Sequence, residues 1–245
     1  MTRGGVKKEN KMETDLNFDT ALNIFSDASI TMVNGHYTSC SGYISVYNNK
    51  IVESDHKVIY DSTNNYGEVY ALLMAVEAAI RNFESIKYVS RINIFSDSQI
   101  SIFGLRDWIF KWYKKLNKNN YMVSDRNIEI ANQEIFNSIV CMIVNSSLPV
   151  HLYHQLGHKN FNSKKDIELV KRSFFKVNSI FITDTLAEKI CYYNNFIDKF
   201  TRDNLLAVTT SRTFNLNNYQ KDIIFMGQML DDECMNKYAK LIYKE

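Results

Sequence analysis

Apolar positions along the chain follow two periods, and the switches between them mark out the elements. "ALNIFSDAS" (21–29) is an apolar run ending in polar residues; "GYISVYNN" (42–49) and "KIVESDHKVIY" (50–60) alternate and are rich in β-branched and aromatic side chains. These predict three strands in series, with a hairpin at the Asn-Asn-Lys between the last two. From residue 64 the period changes. Val69, Leu72, Leu73, Val76 and Ile80 recur at the three-and-four spacing of an amphipathic helix. "YVSRINIFSD" (88–97) is then a fourth strand, and strand–helix–strand order beside a meander implies a right-handed crossover to a parallel neighbour. Helical patterns follow at about 98–116 and 127–145. "LPVHLYHQL" (148–156) predicts a fifth strand, and helices are expected at 163–175 and 183–200.

The order β-β-β-α-β-α-α-β-α predicts an α/β fold: a mixed five-stranded sheet, antiparallel meander plus parallel strands, flanked by helices. Residues 1–19 are polar and aperiodic, and are expected as a loose tail. Residues 20–200 form one domain in this reading, and 201–245, with two weakly helical pieces, a C-terminal extension.

Composition adds little beyond a packed core. Hydrophobic residues make up 45% and aromatics 13% of the 245 residues, which argues against global disorder. The net charge of +2 means that any attraction to nucleic acid must come from a local basic patch. Cys40, Cys141, Cys191 and Cys234 are scattered, form no CxxC and point to reduced thiols and a cytoplasmic setting. No apolar run approaches the roughly 18 residues of a membrane span.

One phrase occurs twice: "NIFSDASI" at 23–30 and "NIFSDSQI" at 93–100. It could mark an internal repeat, two helix caps or two halves of one site. No tandem repeat of 20–50 residues accompanies it, so the repeat explanation fails. If the first and fourth strands are parallel neighbours, Asp27 and Asp97 meet at their ends, where ligands gather in α/β sheets. Glu68, expected in the first turn of the first helix, is a third acid. Taken singly, Asp97 is a candidate N-cap and Glu68 a favourable partner for the helix dipole. Clustered without cations, the three repel one another unless a hard divalent ion holds them.

These motifs resemble type 1 ribonuclease H. "IFSDAS", "STNNYGEVYALLMAVEAAI" and "INIFSDSQ" match its first three acidic motifs, with Asn-Asn shortly before the glutamate. "TDTLAEKI" matches its last, with Asp184 in an Asp-x-Leu-Ala pattern, and Gly157–His158 resembles the Gly-His of its mobile loop. The resemblance spans about residues 21–200. It implies a ribonuclease H-like catalytic domain in which Asp27, Glu68, Asp97 and Asp184 bind two Mg²⁺ ions, with Mn²⁺ as a substitute. It also implies an endonuclease that hydrolyses the RNA strand of RNA–DNA hybrids. Such chemistry needs an activated water and stabilisation of the leaving oxygen, which two ions about 3.5–4 Å apart supply. His158 would be a mobile general acid or product-release helper, with His154 as the fallback. The resemblance implies Asn64, Asn65 and Gln99 as contacts to the hybrid; without it, the asparagines read equally well as turn residues.

"SIFGLRDWIFKWYKKLNKNN" (101–120) sets Trp108 and Trp112 one turn apart among Arg106, Lys111, Lys114, Lys115 and Lys118. Aromatics among cations suit a nucleic-acid backbone, and the segment resembles the basic protrusion of some bacterial type 1 enzymes. An amphipathic helix with buried Trp and solvated Lys explains it as well. His151, His154 and His158 have a spacing that on a helix would ligate a transition metal, but Pro149 and the alternation favour a strand. Three features depart from the family: few glycines in the first hairpin, an insertion at about 159–180, and the residues after 200, which lie outside the match. The competing functions are a nuclease of this fold acting on DNA or structured RNA, and a catalytically silent hybrid-binding or assembly module.

Overall fold

The computed structural model describes residues 16–86, 89, 91–210 and 230–243. Strands β1 (Leu22–Val33), β2 (His36–Tyr47) and β3 (Lys50–Tyr60) form an antiparallel meander. Both its turns are two-residue hairpins whose central residues have positive φ: Asn34 (52°) with Gly35 (82°), and Asn48 (49°) with Asn49 (60°). Asn and Gly tolerate that region, and its twist matches that of the flanking strands. The crossover helix α1 (Asn64–Ser85) leads to β4 (Ile92–Ser96), and β5 (Val150–His154) completes a sheet of order β3-β2-β1-β4-β5. The mixed five-stranded sheet is thus borne out.

The repeated phrase pairs with itself. In the parallel β1–β4 ladder, Asn23 faces Asn93, Ile24 faces Ile94 and Phe25 faces Phe95. The Asn93 side-chain amide donates to Asn23 Oδ1 at 2.9 Å and to the Leu16 carbonyl at 2.9 Å, so two buried amides satisfy one another and the incoming chain. Phe25 and Phe95 stack at 4.7 Å. Leu16 and Phe18 are buried although they lie in the expected tail; its residues 1–15 are outside the described residues.

Alternation along each strand divides the core between two faces. Leu22, Ile24, Ile92 and Ile94 pack on one face with α1, α4 (Gln133–Ser146) and α7 (Asp232–Ile242). Phe25, Phe95 and Tyr153 pack on the other with α5 (Lys164–Asn178) and α6 (Asp184–Thr209). The helix expected at 98–116 is instead α2 (Gln99–Phe103), a π-helical turn (Gly104–Trp108) and α3 (Ile109–Trp112). A Cβ on Gly104 would sit 2.7 Å from the Phe136 ring, so the glycine lets α4 approach. The helix expected from 127 begins at Gln133, behind the left-handed residues Asn127 and Asn132. α6 runs nine residues beyond the expected boundary at 200. Residues 211–229 of the expected extension lie outside the described residues.

Candidate active site

Parallel pairing of β1 with β4 stops at Phe25↔Phe95, while β1 continues to Val33 along β2. A fork opens there. Asp27 therefore lies within β1, not at its tip, and Asp97 follows the last residue of β4. α1 crosses close above. A Cβ on Gly67 would lie 3.1 Å from both Ala28 and Ser39, so glycine brings the neighbouring Glu68 down to the fork. Carboxylate oxygens of Asp27, Glu68 and Asp97 lie within 4.8 Å of one another.

The alternative roles for these acids are taken by other residues. Ser98 caps α2, its side chain accepting from Ser101 N at 3.3 Å, so Asp97 is not the cap. Thr63 caps α1, accepting from Tyr66 N at 3.1 Å. The helix starts at Asn64, so Glu68 lies beyond its first turn, where the dipole offers little.

Burial raises all three carboxyls. Burial, then the charge of Asp97, pushes the Asp27 carboxyl well above the usual carboxylate range. Burial and the charges of Asp27 and Asp97 do the same to Glu68. Asp97 is raised by burial, against the opposing influence of His158, Asn194 and His154. Glu68 Oε2 is buried without a hydrogen-bond partner. Oxygen-only donors, mutual repulsion and an orphaned carboxylate oxygen fit a hard divalent cation such as Mg²⁺.

Asp184 does not join them. It lies in the first turn of α6, its side chain 69% exposed, paired with Lys171 Nζ at 2.5 Å. The Thr183 side chain caps this helix, so "TDTLA" reads as a helix start. Asp198, about four turns further along α6, stands at the fork. Its charge raises both Asp27 and Asp97, and its Oδ2 lies 3.8 Å from His158 Nδ1. Arg202 pairs with it one turn on. Asp198 was missed because the Asp-x-Leu-Ala pattern points to Asp184 at the helix start, whereas the residue at the fork lies deep inside the same helix. The available signal was its place beside the buried stripe Asn194, Ile197, Thr201 and Leu205.

The two histidines separate. His158 is exposed, has a left-handed φ of 53° and faces Asp198. His154 is buried at the end of β5, its Nε2 3.1 Å from the Asp97 carbonyl oxygen, and burial lowers its pKa. A Cβ on Gly157 would lie 2.1 Å from Asp97 Oδ2, so only glycine lets this loop pass the acid. His151 and His154 lie on strand β5, and the metal-competent cluster among the described residues is the carboxylate triad, not a histidine site.

Asn64 and Asn65 are exposed at the start of α1, and Gln99 at the start of α2. The protrusion residues divide. Trp112 packs edge-on against Phe136 at 5.6 Å and borders the core. Lys115 Nζ donates to the carbonyls of Ser124 (3.0 Å) and Asp125 (3.1 Å), closing a loop. Trp108 is 37% exposed, and Lys111 and Lys114 are exposed.

A mixed sheet with buried carboxylates where its central parallel strands part defines an α/β protein of the ribonuclease H-like class. The RNase H family model matches residues 19–173, more than half of the chain, and the chain belongs to this family of nucleases. No curated protein matches it. Among solved structures, it is similar to a foamy viral protease-reverse transcriptase in complex with dsDNA (16% identity, 64% of this chain and 96% of that one, TM-score 0.43). It is also similar to LC11-RNase H1 in complex with RNA/DNA hybrid (16%, 63% and 97%, 0.41). A third is RNase H1 from the halophilic archaeon Halobacterium salinarum NRC-1 (19%, 55% and 84%, 0.38). No described helix is long and apolar enough to cross a membrane, and all four cysteines are free thiols.

Proposed function

We propose that the protein is a divalent-metal-dependent endonuclease that hydrolyses the RNA strand of RNA–DNA hybrids. The observation that carries this reading is the buried triad Asp27, Glu68 and Asp97, with its orphaned carboxylate oxygen, on a chain of the RNase H family. Two Mg²⁺ ions, held by the triad together with Asp198, would supply an activated water and neutralise the leaving 3′ oxygen. Asp198 takes the role expected of Asp184. His158, exposed and beside Asp198, is positioned to move a proton or help product leave. Asn64 and Asn65, exposed at the start of α1, and Gln99, exposed at the start of α2, are assigned to the minor groove, where 2′-hydroxyls distinguish RNA. Trp108, Lys111 and Lys114 offer a surface for the DNA backbone, while Trp112 and Lys115 shape it from behind.

Incubation of labelled RNA–DNA hybrid, duplex DNA and duplex RNA with Mg²⁺ or with EDTA tests the reading. Internal cleavage of the hybrid's RNA strand, in Mg²⁺ alone, is expected. Cleavage of duplex DNA or RNA instead would replace the substrate class. Tight hybrid binding without cutting would replace catalysis by a binding role.

A further inference from the structure

Helices α5 and α7 converge on the π-helical turn at Gly104–Trp108. From α7 and the residue after it, Tyr238 Oη donates to the Leu105 carbonyl at 3.2 Å and Tyr243 Oη donates to the Arg106 carbonyl. From α5, Asn178 and Val177 receive the Arg106 side chain: Nη1 donates to Asn178 Oδ1 at 2.9 Å and Nη2 to the Val177 carbonyl at 3.1 Å. Arg106 Nη1 also reaches the Leu152 carbonyl on β5 at 3.5 Å.

Asn178 passes this on toward the fork. Its Oδ1 accepts from His154 N at 3.2 Å and its Nδ2 donates to the His154 carbonyl at 2.8 Å. One amide thus pairs with both backbone groups of the last residue of β5, as a neighbouring strand would. The His154 ring in turn lies 3.1 Å from the Asp97 carbonyl through Nε2, and Gln155 N donates to the Ser96 carbonyl at 3.1 Å. The path from Arg106 to Asp97 is continuous, and it reaches the triad through the His154 ring at the Asp97 backbone.

We infer that Arg106 and Asn178 form a positioning clamp that fixes the end of β5, and through His154 the backbone of Asp97, in the geometry that binds the metal. The inference rests on the metal-dependent nuclease reading above and adds a role for α5, whose last residue finishes the edge of the sheet beside the site. Positioning groups behind a metal ligand typically change metal affinity or turnover by ~10–100-fold.

The test compares wild type with Asn178→Ala, Asn178→Asp and Val170→Ala. Asn178→Asp keeps the acceptors for Arg106 and His154 N and loses the donor to the His154 carbonyl. Val170→Ala removes buried apolar contact from the same helix without touching the clamp. Three quantities are read: thermal stability, Mn²⁺ affinity from the electron paramagnetic resonance of free ion, and kcat and KM on hybrid. Asn178→Ala should weaken Mn²⁺ binding and kcat by ~10-fold or more with KM within ~2-fold, Asn178→Asp should recover part of both, and Val170→Ala should lose stability alone. If Asn178→Ala and Val170→Ala lose stability equally and both keep wild-type Mn²⁺ affinity and kcat, the clamp is merely structural and the inference fails. Wild type that binds Mn²⁺ yet leaves hybrid intact overturns the substrate reading only, and the Mn²⁺ comparison still decides the clamp. Wild type that binds no Mn²⁺ overturns both.

Discussion

Asp184 and Asp198 share one helix and have different neighbours. Asp198 adjoins Ile197 and Thr201, both fully buried against the sheet, whereas Asp184 is in solvent beside Lys171. Asp198→Asn is therefore expected to reduce hybrid cleavage by at least ~100-fold, above the usual loss for a group behind the ligands. Asp184→Asn should stay within ~2-fold. The reverse pattern in a steady-state assay would restore Asp184 to the site. The raised carboxyls of Asp27 and Glu68 give a pH signature in the metal-free protein. Such groups hold protons more tightly folded than unfolded, so their contribution to stability is full below the ordinary carboxylate pKa of about 4. It is lost as pH rises through their elevated values. In EDTA at pH 8, Asp27→Asn should melt above wild type, and the gap should close toward pH 4. Mg²⁺ should stabilise wild type and leave the variant nearly unchanged; a gap independent of pH would remove repulsion as its cause. Asp27, Glu68 and Asp97 were legible because each follows a local apolar pattern that fixes its element. Asp198 was not, because its place depends on how α6 packs across β1 and β2, a tertiary contact that local periodicity does not carry.

Between 99 and 132 the sequence periodicity is helical and the local structure is not uniformly so. The tryptophans follow helical spacing, but Gly104 and the contact with Phe136 impose a π-helical turn, and helix α3 stops at Trp112. The next helix waits for Gln133, whose side chain accepts from Met122 N at 2.7 Å. A periodic pattern could not reveal these tertiary contacts, nor that Lys115 is spent on closing the loop. The cations therefore have different consequences. Lys111→Ala with Lys114→Ala should leave the melting temperature near wild type and flatten the plot of log K against log salt by about 1.8, two phosphate contacts' worth. Trp112→Ala should destabilise by about 2–4 kcal/mol through lost packing. Unchanged salt dependence in the double lysine variant would mean that this face does not meet the nucleic-acid backbone.

At the scale of the whole molecule the question is whether the C-terminal segment is an appendage or part of the folding unit. Its sequence is only weakly helical and carries no motif, and for that reason it read as an extension of unknown role. In the structure Met235, Tyr238 and Ile242, at helical three-and-four spacing, are buried in the same core as α1, α4 and the inner face of β1 and β4. Tyr113 Oη also donates to Asp232 at 2.8 Å, from outside the helix. Burial of a short amphipathic face against an existing core makes the two cooperative, because neither surface is satisfied alone. Thermal unfolding of the full chain should thus be a single transition. Met235→Ala, which opens space in the core, should cost about 2–5 kcal/mol, whereas Tyr238→Phe, which loses the hydroxyl's bond to Leu105, should cost about 1 kcal/mol. Ending the chain at residue 230 should lower the melting temperature of the entire protein, seen equally by far-ultraviolet dichroism and by tryptophan fluorescence from Trp108 and Trp112. Two separate transitions in the full chain, with the upper one unaffected by the truncation, would instead make α7 an independent attachment to the core it touches.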